Sequence, residues 1–122
     1  MPLQNWSDDI VIAELHDEPH FSEDTDVIKS KLEEDNHFDI ILDLSNVTKL
    51  NSSNLGALVE IHKKAINKKR KLILSSIQDG AWSVMLVTGL DRVFRFATDV
   101  TTALALVQLG DIIPDENDQE NG

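Results

Sequence analysis

Four polar residues, Asn51-Ser52-Ser53-Asn54, stand between a strand-like segment and an amphipathic helix, and they are the first place to look for chemistry. All four types favour a helix start. A helix start offers unpaired backbone N–H groups and the positive end of the macrodipole, which suits an anionic group such as a phosphate. The bland alternative is that Ser52 is simply the N-cap, contributing about 1 kcal/mol of stability.

Elsewhere the chemistry is thin. No cysteine is present, so disulfides, thiolate metal sites and thiol redox chemistry are excluded. His16 and His20 flank a turn beside Asp17 and Glu18, but nothing completes a metal-ligand set with recognisable spacing, and no metal or cofactor is expected. His37 precedes a strand, and His62 falls on an apolar helix face as a half-buried structural residue. Asp43 ends a central strand, where a receiver domain keeps its phospho-accepting aspartate. No acidic pair follows the first strand and no lysine ends the Leu72–Leu74 strand, so Asp43 is read as bridging the next turn. There is no activated nucleophile, no acid–base pair and no Gly-rich phosphate loop, so the chain does not read as an enzyme.

The elements that would position the Ser52 corner follow from periodicity. Phe38 to Leu44 is a short apolar run suited to a strand buried on both faces. Ile10 to Leu15 is an earlier strand, extended back toward Trp6 as a hairpin arm, and His16 to Phe21 is a turn containing Pro19. Ser22 is read as the N-cap of a helix with Val27, Ile28 and Leu32 on its apolar side. Leu55, Leu58, His62, Ala65 and Ile66 repeat at helical spacing, Leu72-Ile73-Leu74 is a strand, and Gly80 to Thr88 is a helix capped by Gly89. Arg92 to Phe96 is an edge-like strand, and Thr98 or Asp99 opens a last helix. Strands alternating with helices imply right-handed crossovers and an α/β domain with a mainly parallel sheet of four to five strands and about four helices.

At 122 residues the chain is one domain, with boundaries at 1–110, and its 41% hydrophobic and 27% charged content is ordinary for a globular protein. Residues 111–122 form an acidic tail, expected to be disordered, with five acids and no base. No apolar run reaches the roughly 20 residues a membrane helix needs, and Met1 to Asp9 lacks the features of a signal peptide, so a cytoplasmic location without membrane insertion is expected. The net charge of −11 argues against direct nucleic-acid binding. Lys63, Lys64, Lys68, Lys69, Arg70 and Lys71 hold six of the eleven basic residues; they form either a solvated helix end or a docking patch for an acidic partner. The helix holding Trp82, Val84, Met85, Leu86 and Val87 is apolar nearly all round. Either it lies deep, under the N-terminal arm with Trp6, or Trp82 belongs to a patch for a partner or a second copy.

Asp43-Leu44-Ser45-Asn46-Val47 followed by Asn51-Ser52-Ser53-Asn54-Leu55-Gly56 resembles the STAS domain of bacterial anti-sigma-factor antagonists, whose pattern is Asp-Leu-Ser-x-Val and then Asp-Ser-Ser-Gly-Leu-Gly. Leu86-Val87-Thr88-Gly89-Leu90 through Phe94 is similar to the family's Leu-x-x-Thr-Gly-Leu-x-x-x-Phe, and the likeness reaches Ala103-Leu104. The resemblance implies a non-enzymatic switch. Its first serine, Ser52 here, is phosphorylated by a partner that is both serine kinase and anti-sigma factor, and a phosphatase restores it. Asn51, Ser52, Ser53, Asn54, Leu55 and Trp82 are the expected partner-binding residues, on a monomer or weak homodimer. The alternative is a STAS scaffold or accessory subunit of a signalling or membrane-transport assembly.

Three departures stand out. Asn51 replaces the family's Asp and cannot take up a proton at neutral pH. Asn54 replaces Gly and is expected to put a side chain on the surface a kinase approaches. His16 to Phe21 replaces the usual Gly-x-hydrophobic-Asp turn.

Overall fold

In the computed structural model, residues 3–34 and 37–109 are described. The 111–122 tail lies outside them. The order is β1 (Leu3–Ser7), β2 (Ile10–His16), α1 (His20–Glu34), β3 (Asp39–Asn46), α2 (Ser52–Asn67), β4 (Leu72–Ser75), α3 (Asp79–Thr88), β5 (Arg95–Ala97) and α4 (Val100–Leu109). One five-stranded sheet runs β1-β2-β3-β4-β5. β1 pairs antiparallel with β2 as a hairpin arm, and the other pairs are parallel.

Strands β2, β3 and β4 are buried on both faces, as their unbroken apolar runs require. Each crossover from β2 to β5 moves to the next strand in the same direction, so one handedness places α1, α2 and α3 on the same face. There Val11, Ala13, Leu15, Ile40, Leu42, Leu44, Leu72 and Leu74 meet Phe21, Ile28 and Leu32 of α1, Leu58 and Ile61 of α2, and Ala81 and Met85 of α3. The opposite face is smaller. Ile10, Ile12, Ile41, Ile73 and Ala97 pack against Ala103 and Val107 of α4.

Four local expectations change. Helix α1 begins at His20, so Ser22 is inside its first turn and not its N-cap; the Glu18 carboxylate accepts from the Ser22 backbone N–H and hydroxyl. The α2 N-cap is Asn51, which makes Ser52 the first helical residue instead of the cap. Leu90–Arg92 is a 3-10 turn, which leaves β5 only three residues. The β1 arm lies at the sheet edge opposite β5 and α3, so Trp6 does not cover Trp82. Gly89 does cap α3, at φ 78°, and the Asp99 carboxylate accepts from the Thr102 N–H at the start of α4.

Candidate functional site

The corner after β3 is built by burying two apolar side chains of an otherwise polar loop. Val47 and Leu50 sit in the core, and the chain between them carries Thr48 outward. Asp43 bridges the turn as expected, its carboxylate accepting from the Ser45 N–H at 3.0 Å. Asn51, in extended backbone, then caps α2. Its side-chain oxygen accepts from the Asn54 N–H at 2.8 Å, and the Asn54 side-chain oxygen accepts from the Asn51 N–H at 3.0 Å. This reciprocal box satisfies two orphan donors of the helix start.

Asn54 is therefore not a surface obstruction. Only 4% of it is exposed, and its amide nitrogen donates to Glu18 at 2.8 Å. The expectation that an Asn in place of Gly would project toward a partner fails because both the amide oxygen and the amide nitrogen of this side chain are bonded inside the fold. Ser52 and Ser53 remain exposed on the first turn. Leu55 is half-buried against the main core.

The β2–α1 loop braces this corner. Asp17 accepts from the Thr48 N–H at 2.9 Å and from the Thr48 hydroxyl at 2.7 Å. The hydroxyl bond, followed by the Thr48 amide, holds the Asp17 carboxyl below its usual range. Glu18 is held low by the Ser22 hydroxyl first, then the Ser22 amide, with Asn54 adding a smaller share. Asp17, Glu18, Lys49, Leu50, Asn51 and Asn54 line a cleft of about 300 Å³. Sequence reasoning had missed Asp17 and Glu18, whose partners lie 31 and 36 residues further along the chain. Their position directly after a strand was the one available signal.

Helix α3 reaches the same end of the sheet. A Cβ on Gly80 would lie 2.8 Å from the Thr48 carbonyl oxygen, so only glycine permits this approach. Gln78 donates its side-chain amide to the Ser45 carbonyl. Two residues past Gly80, the half-buried Trp82 packs edge-on against Phe96 with ring centroids 5.0 Å apart. Ile77, Trp82, Phe96, Ala97 and Thr98 line a largely apolar groove of about 340 Å³. Trp82 is thus partly buried, without the Trp6 arm: its ring packs on the core, and its open side lines this groove. Leu86 and Val87 carry the exposed apolar surface of α3.

The remaining candidates have structural partners. His62 packs edge-on against Phe94 at 5.3 Å, and desolvation lowers its pKa. Among the described residues, no group of three or more histidines and carboxylates could hold a metal ion. In the basic segment, Lys64 pairs with Glu33 at 2.7 Å and Arg70 with Asp39 at 3.1 Å.

Residues 16–103 match the family model of the STAS domain. Among solved structures, a candidate anti-sigma factor antagonist from Thermotoga maritima is 25% identical, with a TM-score of 0.71 over 88% of this chain and 93% of its own. A sulfate transporter family protein from Wolinella succinogenes is 20% identical, with a TM-score of 0.73 over 85% and 88%. The phosphorylated form of the Bacillus cell fate determinant SpoIIAA is 16% identical, with a TM-score of 0.66 over 85% and 96%. The matched span contains the whole corner, its Asp17–Glu18 brace and the α3 groove, and the chain belongs to the STAS domain family.

Proposed function

We propose that this protein is an anti-sigma-factor antagonist, a non-enzymatic switch controlled by reversible phosphorylation of Ser52. The observation that carries the reading is the placement of Ser52: an exposed hydroxyl on the first residue of α2, beside a cap that the rest of the fold already holds rigid. Phosphorylation adds about −1.5 to −2 charges. At a helix N-terminus the domain tolerates that charge, so its effect falls on the complementary surface of the partner. The solved phosphorylated form of the Bacillus relative supports a switch of this kind on this fold.

The partners are a serine kinase that is also an anti-sigma factor, and a phosphatase, all acting in the cytoplasm. Ser52, Ser53 and Leu55 form the contact at the corner, and Trp82 extends it along the groove. Asn51 and Asn54 contribute by holding the helix start. The protein acts without a cofactor.

Intact-mass analysis of protein purified from its native cell, with peptide mapping across Leu50–Lys63, tests the modification. A phosphorylated fraction at Ser52 is expected. Ser52→Asp should fold normally and lose the partner that co-purifies with the parent chain; retention of that partner would refute the switch. A second reading is a constitutive STAS scaffold or accessory subunit, favoured by Asn51 in place of an acid and by the likeness to a sulfate transporter family protein. Absence of phosphate under growth and stress, with a stable co-purifying assembly, would establish that reading instead.

A further inference from the structure

We infer that the ends of α2 and α3 form a second docking surface, remote from the Ser52 corner, for an acidic segment of another protein that carries large apolar side chains. The fold brings the two ends together. Strands β3, β4 and β5 are parallel, so α2 and α3 both run back to the edge of the sheet where these strands begin. There His62 of α2 packs edge-on against Phe94, with ring centroids 5.3 Å apart. Ile66 stands one turn beyond His62, and Val93 adjoins Phe94. Tight turns hold the end of α3 at the same place. The Gly89 N–H donates to the Leu86 carbonyl at 3.2 Å, and the Val93 N–H donates to the Leu90 carbonyl at 3.0 Å. Ile66 lies about 21 Å along α2 from Ser52, so the two surfaces sit at opposite ends of one helix.

Two properties coincide at this pole. Residues 61–71 and 86–94 hold seven of the eleven basic residues of the chain and one of its twenty-two acids, Asp91. Lys64 and Arg70 are engaged with Glu33 and Asp39, but Lys63, Lys69 and Arg92 are exposed and in no ion pair among the described residues. On a chain of net charge −11 this local excess of cations complements an acidic ligand. The same two segments expose Ile66, Leu86, Val87 and Val93, four of the seven large apolar side chains exposed among the described residues. Cations that only complement the dipole at the end of α2 need no such neighbours, and Arg92 is not on that helix. Basic groups around exposed apolar ones fit a segment with apolar anchors at its centre and carboxylates at its rim. An anionic membrane is a poorer match, because the rest of this acidic chain would be repelled from it.

The probe is a synthetic peptide, all glutamate except for a leucine at every third or fourth position, titrated into the isotope-labelled full chain. Amide shifts are expected at Lys63, Ile66, Lys69, Val87, Arg92 and Val93, with Thr48 and Ser52 unmoved. Exchanging the leucines of the peptide for serine should weaken binding by roughly tenfold or more, the scale of one lost apolar anchor. Lys63→Glu/Arg92→Glu, which alters one cation on each side of the His62–Phe94 contact, should weaken it by a similar factor. Ile66→Ser/Val87→Ser should do the same, and both variants should leave the spectrum of the core strands unchanged. No binding, shifts scattered over the surface, equal binding of the serine peptide, or indifference to either variant would overturn the inference. Shifts of the same amides on adding phosphatidylglycerol vesicles, or on raising the protein concentration without peptide, would overturn it in favour of a lipid surface or a second copy.

Discussion

Asn54 shows how a single side chain can be read wrongly from its neighbours and correctly from its bonds. Next to two serines it looks like part of a displayed polar loop, and in the structure it is among the few buried polar residues. Nothing in the local sequence announces that Glu18, 36 residues earlier, will take its amide. Asn54→Gly, which installs the family's residue, removes the two side-chain hydrogen bonds to the Asn51 N–H and to Glu18 and should lower stability by about 1–2 kcal/mol in urea unfolding. The Asp17 and Glu18 braces predict acid sensitivity. Both carboxyls are depressed in the folded state, so the unfolded chain binds protons first. Their contribution is complete above the ordinary Glu value of 4.5 and is lost as pH falls through the lower folded values. Glu18→Gln should flatten this part of the stability–pH curve. His62 acts in a higher window. Burial lowers its pKa, so its share of stability is complete above 6.5 and declines as pH drops below that value. Thermal melts of His62→Gln should lack that decline.

Helix α3 is the element whose placement the sequence left most open. Its apolar residues run nearly all round, so periodicity could not say which side faces the sheet. The structure buries Ala81 and Met85, sets Trp82 against Phe96 and leaves Val87 outside. The decisive contact is one no periodicity encodes, the approach of Gly80 to the Thr48 carbonyl. Gly80→Ala should push the start of α3 off the corner, lowering stability by about 1–3 kcal/mol and shifting the Thr48 amide resonance. Trp82→Ala removes a half-buried ring and its aromatic neighbour's partner. It should lower stability by about 2 kcal/mol, more than a purely solvent-facing tryptophan would, and also weaken association with the partner. A stability change near zero would show that the ring makes no useful contact with Phe96.

For the whole molecule, the class of fold was legible because three strands read as continuous apolar runs and the segments between them read as helices. With the parallel strands in sequential order, the right-handed crossovers then put their helices on one face. The interlocking of loops was not legible, since it rests on side chains meeting across 31 to 36 residues of sequence. Nor was the shortness of β5, which results from Leu90–Arg92 closing into a 3-10 turn before the strand can begin. Val87, 88% exposed, is a surface residue of the folded monomer. Val87→Glu should change stability by no more than about 0.5 kcal/mol. Sedimentation equilibrium of parent and variant would reveal self-association through α3 as a difference in apparent mass.

Both margins of the sheet are blunted. On one side β1 is interrupted by a register shift between Asn5 and Ser7, and on the other β5 offers only three residues. A long, flat margin is a template on which copies can add strand by strand into fibres. This domain gives such growth a broken template on one side and almost none on the other, so concentrated solutions should resist fibrillar assembly through the sheet.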